Sequence, residues 1–510
     1  MMSRALCALV LGCAACGSEP RDRPGSSNST LVVAAPGDGY GLGGDAILGL
    51  YPVNTNTYEP LVSLSERYRA EPMLATRWEF LAPNRWRFHL RTDVRFHDGA
   101  PLTAAAVRWT MDRMARRRPG ATGIALGSTR VVDDSTVDIT PVFPNRRLPE
   151  QLTHPNYSIM APGSDPTKRP VGTGPFRFVE YRPGDHITVT RFAGYWGTRA
   201  LLDTIRFRFV PDPATRVLSL RAGDVDIVAE FPRETKDPRV VRSALSGYEA
   251  LYVSRHGLAP YDLGAERALR RAVAMTVDRT RIARDVWAGA ADPAPTVVPS
   301  GALGTSASLV HGIDFNPPAA RALLDSVGWR IGADGIRMRH GRRLALTMIV
   351  GFPNPQIHRP MPELMQGALR AVGIEVRILQ VPDDAVWQAR ISAGAGDLWA
   401  EAGGQNDANP CFLAQLLFYS GPRLRPSGYA RLFAPGADLD HAVDACRESA
   451  SREDVEKSAA EAEHVLVDVE AIVIPLAATR RLWGVGPRVR GFVPHPSSLS
   501  QRWDHVKLSS

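Results

Sequence analysis

Residues 86–107 read WRFHLRTDVRFHDGAPLTAAAV. Trp86, Phe88 and Leu90 alternate with Arg85, Arg87 and His89, the period of a half-buried strand. Asp98-Gly99 then supplies a turn, Pro101 stiffens the approach, and Thr103 stands where a hydroxyl caps the free N–H groups of a helix. Val107, Met111 and Met114 fall on one face of that helix, which is expected to run from Thr103 to Arg118. The adjacent His97 and Asp98 raise the question of a catalytic or metal-binding pair. Every residue around them has a structural task, and neither stands at helical or hairpin spacing to a second metal ligand, so the pair reads as a turn.

Strands and helices alternate outward from this stretch. Leu31 to Ala35 is an apolar run of strand length, and Ile205, Phe207 and Phe209 repeat the alternating pattern. Leu269, Val273 and Val277 predict one helix from Glu266 to Ala288 that stops at Gly289. Asn316-Pro317 opens another that ends at Gly328. The run 344–350, then 362–372, then 374–379 reads as strand, helix, strand, which implies a right-handed crossover and parallel pairing. A last helix begins at Ser451 with Asp454 three residues on, close to a capping box. The fold class is α/β.

The 510 residues suggest two or three domains or lobes, and 44% hydrophobic with 22% charged residues is the balance of a soluble globular chain. The formal charge of +8 comes mostly from arginines scattered among acids. That is a solvated basic surface rather than a nucleic-acid footprint. The first sixteen residues, MMSRALCALVLGCAAC, carry one basic residue, a short apolar run and small residues before cysteine, the form of an export signal. Ala14-Ala15-Cys16 is similar to a bacterial lipoprotein signal and makes Cys16 the lipidated residue, with Cys13 as the alternative. Residues 17–30, rich in Gly, Ser, Pro and charge, suit a flexible tether. Cys411 and Cys446 remain outside the signal; they could pair in an oxidising compartment, but two buried free thiols are the plain reading.

Apparent active-site signals fail on their context. Gly39-Tyr-Gly41-Leu-Gly43-Gly44 matches GxGxxG, but Pro36 and Tyr51-Pro52 leave no room for a phosphate-binding helix, so it reads as a loop beside a cleft. Gly172-Thr-Gly174-Pro175 reads as a tight turn entering a strand at Phe176, since proline lacks the N–H an anion needs. HExxH, GxSxG and GxxxxGK[ST] are absent. The histidines are dispersed and are expected at the surface. No cofactor, metal site or nucleic-acid partner is called for.

YEPLV (58–62), EPMLATRWEF (71–80) and the stretch at 86–107 together resemble the signature of family 5 extracellular solute-binding proteins, the peptide- and nickel-binding receptors of ABC importers. The resemblance continues, in order, through PVGTGPFRFVEY (170–181), GYWG (194–197), IRFRFVPDPATRVLSLRAGDVDI (205–227), LRRAVAMTVDRTRI (269–282), FNPPAARALLDSVGW (315–329) and EAIVIPLAATRRLWGVGP (470–487). It implies a periplasmic-binding-protein-like fold of two hinged α/β lobes with the ligand in the interlobe cleft. Carried over, lobe one is 31–254 plus 477–510 with an inserted subdomain at about 58–161, and lobe two is 255–476. It also implies a monomer that closes on a peptide or another small polar solute and delivers it to the transmembrane subunits of an ABC permease. The chain would be exported and lipid-anchored on a periplasmic or cell-surface membrane face, and would not be an enzyme.

For a peptide, the resemblance assigns an acidic residue in DLWAEAGGQNDANPCFLAQLLF (397–418) to the ammonium group. Asp407 is the first candidate and Glu401 the second, with Gln405 and Asn406 as hydrogen-bonding neighbours and Trp399 as a wall. NPQIHRPMPELMQGAL (354–369) offers Arg359 for the C-terminal carboxylate. The alternative is a receptor for nickel or a metal chelate; His358 and His154 are weak ligand candidates for it, since no histidine stands in the 403–412 segment. A remote alternative is an exported peptide hydrolase, for which no catalytic set is recognisable.

Overall fold

The computed structural model describes residues 29–37, 54–117, 123–166, 168–232, 237–288, 290–350, 361–421, 428–433 and 436–509. The export signal, most of the tether, the GxGxxG loop, and His358 with Arg359 lie outside them.

One eleven-stranded sheet runs through the molecule. At one end, Thr30–Ala35 pairs in parallel with Thr204–Phe209, and His186–Arg191 and Phe176–Arg182 extend it in antiparallel fashion. At the other end, Ala345–Val350 pairs in parallel with both Glu375–Gln380 and Leu398–Gly404. Helix Met361–Arg370 makes the crossover, as the strand, helix, strand reading expects. The two ends are joined by the long antiparallel strands Val240–Val253 and Val473–Val485, whose register shifts between Arg242 and Leu245, Leu245 and Gly247, and Glu249 and Ala250. Those irregularities mark where one half of the sheet passes into the other. The expected boundary at 476/477 falls inside the second strand.

The inserted segment has its own four-stranded sheet, formed by Ala75–Leu81, Arg85–Leu90, Thr136–Pro141 and Ile124–Asp133. Trp86, Phe88 and Leu90 face a core closed by helix Ala104–Arg117 through Val107 and Met111. The stretch 86–107 is therefore strand, turn and helix, with Gly99 at φ +91° and the Asp98 carboxylate accepting the Ala100 N–H at 3.1 Å.

His97 is half-buried and packed into the structure, not free at the surface as expected. Its N–H donates to the Gly172 carbonyl (2.9 Å), and its ring bridges the Gly172 N–H (3.4 Å) and the Gly174 carbonyl (2.9 Å). Burial holds its pKa down at about 4. The same GTG turn passes so close to the chain at Asn56 and Thr57 that a Cβ on Gly172 would stand 2.0 Å from the Thr57 carbonyl oxygen, and one on Gly174 2.3 Å from that of Asn56. Glu59, 0% exposed, accepts hydrogen bonds from Thr173 (2.8 Å), Tyr195 (2.7 Å), Trp196 (2.9 Å) and Arg502 (3.2 Å). YEP, GTGP and GYWG are thus one buried joint between the inserted segment and the first half of the sheet. His154 and His186 are buried: the His154 ring accepts the Asn156 N–H (3.2 Å), and the His186 ring lies between the Asp185 and Glu180 carboxylates (3.0 Å each).

Two further expectations are corrected. The single helix from Glu266 to Ala288 is two, Arg267–Ala274 and Arg279–Asp285. Thr276 turns its hydroxyl back to the Val273 carbonyl (2.7 Å), and Asp278 caps the second helix by accepting the Arg281 N–H (2.9 Å), so local side-chain bonds outcompete the helical ladder. Cys411 and Cys446 form a disulfide, with their Cα atoms 6.5 Å apart, within the span such a bond bridges. Pro317–Ser326 and Arg452–His464 begin as read, on the Asn316 cap (3.0 Å to Ala319 N) and the Ser451 cap (3.1 Å to Asp454 N). Among the described residues, no helix is long and apolar enough to cross a membrane.

Candidate functional site

Leu398–Gly404 lies between Ala345–Val350 and Val240–Val253, and the turn that leaves it, Gln405 to Asn409, is carried to the border between the two halves. The turn is held from within. The Gln405 amide donates to the Asp407 carbonyl (3.0 Å), the Asp407 carboxylate (2.9 Å) and the Asn409 carbonyl (2.8 Å), and the Asn409 N–H donates to Asp407 (3.0 Å). That is the geometry in which aspartate builds its own turn.

The turn meets the rest of the molecule on two sides. The Ala408 N–H reaches the Thr153 hydroxyl at 2.9 Å, and the Ser497 hydroxyl donates to the Asn406 side chain at 2.9 Å. Ser497 donates its N–H to Nδ1 of His495 (3.0 Å), and Nε2 of His495 lies 3.2 Å from the Leu64 carbonyl. A hydrogen-bonded line therefore runs from the inserted segment, through the C-terminal segment, to the far half of the sheet. Burial lowers the pKa of His495, which keeps the neutral ring that this line requires.

Of the residues singled out in the sequence, Gln405, Asn406 and Asp407 come together here. Asp407 differs from its expected role. Its side chain has 0% exposure, one carboxylate oxygen is engaged within the turn, and the other has no hydrogen-bond partner among the described residues. Burial pushes its pKa far up, against the pull of the Asn409 N–H and the Gln405 amide and with help from nearby Glu150. Desolvation of this kind disfavours the charged form, which weighs against the carboxyl as a partner for an ammonium group.

Trp399 and Glu401 lie on the strand Leu398–Gly404 that leads into the turn, on the face shared with Tyr248 and Tyr252. Trp399, 0% exposed, packs edge-on to Trp387 (4.7 Å) and near Phe433 (6.4 Å), a core contact instead of a wall. Glu401 lies among the hydroxyls of Tyr248, Tyr252 and Tyr429, whose pKa values burial raises first and its charge second for Tyr248 and Tyr429. Tyr248 lies across Gly403, where a Cβ would meet its hydroxyl at 2.5 Å.

Thr153 and Ser497 carry no local motif. Their roles depend on partners 255 and 91 residues away, so no sequence signal points to them. Beside them is an open cavity of about 350 Å³, lined by Thr55, Leu64, Met73, Thr153, His495 and Arg502 among others, all from the inserted and C-terminal segments or the chain just before them. Among the described residues, no group of three or more His, Cys, Asp or Glu is arranged to hold a metal ion.

A sheet in two halves, crossed by two strands, with a polar turn of one half seated against the other, is the architecture of a two-lobed binding protein. The chain belongs to the bacterial extracellular solute-binding proteins, family 5, whose model matches residues 69–423. It is 24% identical to a nickel-binding periplasmic protein of Escherichia coli over 359 residues, covering 65% of this chain and 67% of that protein. It is 29% identical to a glutathione-binding protein of Pectobacterium atrosepticum over 306 residues, 57% of this chain and 56% of the relative. These matches span only about half to two thirds of the relatives' lengths. Its fold is similar to that of NikA from Brucella suis in complex with Fe(III)-EDTA, with a TM-score of 0.80 at 23% identity over 94% of this chain and 100% of that one.

Proposed function

We propose that this protein captures a peptide or another small polar solute between its two lobes and delivers it to the permease of an ABC importer, as a lipid-anchored monomer on the outer face of a membrane. The observation that carries the reading is the seating of the turn Gln405 to Asn409 against Thr153 and Ser497. A joint of neutral hydrogen-bonding groups between two bodies is where a solute can be enclosed and oriented while water is excluded. The similarity to a glutathione-binding protein supports a peptide as the solute class. In this reading Asn406 and Gln405 shape the border of the site, Asp407 holds the turn, and Arg359 meets a carboxylate of the solute. No covalent chemistry is required of it.

A second reading, a metal chelate such as nickel bound by a small organic ligand, is supported by the similarity to a nickel-binding protein and to the fold of NikA. Such a chelate would be held through its organic shell.

Native mass spectrometry of residues 31–510, with and without added dipeptides, oligopeptides and nickel-histidine, separates the readings. Retained peptide masses are expected. A nickel-containing adduct with peptides ignored would move the protein to the second reading, and shortened peptide products absent from a mock purification would overturn both.

A further inference from the structure

The inserted segment 58–161 touches both halves of the large sheet, in two different ways. Toward the half built on Thr30–Ala35 its contacts are set into backbone and a buried carboxylate: the His97 N–H on the Gly172 carbonyl, the His97 ring between Gly172 and Gly174, and Glu59 with its four donors. A ring bonded on both nitrogens to one turn cannot slide without losing those bonds, and a buried carboxylate cannot lose its donors cheaply.

Toward the other half the contacts are made by side-chain tips and loop edges. Tyr68, 3% exposed, lies beside Gly301 within an apolar cluster that includes Tyr248, Val298 and Leu303, and its hydroxyl reaches the Leu245 carbonyl at 3.4 Å. Leu245 sits in the irregular stretch where the two halves of the sheet join. Arg69, its side chain 41% exposed, pairs with Glu456 (3.1 Å), which Arg452 also holds (2.7 Å). The Arg147 guanidinium donates to the Ser449 carbonyl (2.7 Å), and the Arg146 N–H to the Arg447 carbonyl (2.7 Å).

We propose that this second set is a latch. The inserted segment travels with the half built on Thr30–Ala35, and its Tyr68 plug and arginines make and break their contacts with 298–303 and 445–456 as the halves close and open. The latch rests on the two-lobe reading above and adds a jaw to it: these contacts bias closure without touching the solute, and affinity follows the population of the closed state.

Hydrogen exchange measured by mass spectrometry on the full-length chain, with no solute added, tests it. The reporters are the Ala408 and Arg146 amides on the latch side, and the His97 amide, bonded to the Gly172 carbonyl (2.9 Å), across the fixed joint. In the double variant Arg69→Ala, Arg147→Ala, the latch-side amides are expected to exchange about tenfold faster or more, with the His97 amide unchanged. Tyr68→Ala should do the same more strongly, and its cooperative thermal unfolding checks that it is folded. Latch-side amides that keep their wild-type rate in both variants, or that accelerate together with the His97 amide, would overturn the proposal. The measurement needs no solute, so its failure leaves the solute-binding reading standing, and a failure to find bound solute leaves the latch result intact.

Discussion

At the residue scale the histidine of the opening stretch is the most informative. Burial holds the His97 pKa at about 4, below the ~6.5 of an unfolded histidine. Between those values the unfolded chain binds the extra proton, so the stability owed to the neutral ring is full above pH ~6.5 and is lost as pH falls toward 4. A shift of this size corresponds to about 3 kcal/mol. His97→Gln should lower the urea midpoint at pH 7, and its gap to wild type should narrow progressively by pH 4; a constant gap would refute the assignment. Asp407 makes the second residue-scale prediction. Asp407→Asn keeps an oxygen for the Gln405 amide and the Asn409 N–H, so solute affinity measured by calorimetry should stay within about threefold. A loss of a hundredfold would restore Asp407 as a charged partner of the ligand. The sequence read the His97-Asp98 pair as structural but expected histidines at the surface, and it did not show how far His97 and Asp407 are packed in, because burial is a property of what packs over a side chain and not of the side chain itself.

At the element scale the joints between segments dominate. Gly172→Ala would force a Cβ to within 2.0 Å of the Thr57 carbonyl. The turn must move or the joint must open, and a loss above about 2 kcal/mol in chemical denaturation is expected. The Cys411–Cys446 bond closes a span of 35 residues across helices of the second half. Replacing both cysteines by serine should cost about 3–4 kcal/mol, read as a lowered melting transition of the variant relative to the oxidised wild type. Strands and helices with strong periodicity, such as Arg85–Leu90, Thr204–Phe209 and Pro317–Ser326, were legible in the sequence because one face of each is apolar and their caps are local. The break between Ala274 and Arg279 was not, since the apolar spacing continues through it while Thr276 and Asp278 redirect the backbone.

At the scale of the whole molecule the two crossing strands and their irregular register define how the halves can move. A bound solute should shift the population toward a closed form, seen as a smaller radius of gyration in solution X-ray scattering when the solute identified by mass spectrometry is added. An unchanged radius at saturation would argue against closure. Membrane attachment is a separate matter at this scale: replacing both Cys13 and Cys16 by serine should release the protein from the membrane fraction with solute binding retained, because the lipid chains and not the folded body would supply the attachment.

The sequence by itself determined the α/β class, most of the elements, and the family, since periodicity, caps and an ordered series of motifs are all local in the chain. It also brought attention to the turn at 405–409. Only the tertiary structure decided that His97 and Glu59 bind motifs 75 to 443 residues away into one joint, that Asp407 turns inward, that the two cysteines pair, and that Thr153 and Ser497 receive the far lobe. Those are meetings between distant segments, and their energies come from burial and hydrogen-bond partners that exist only once the chain has folded.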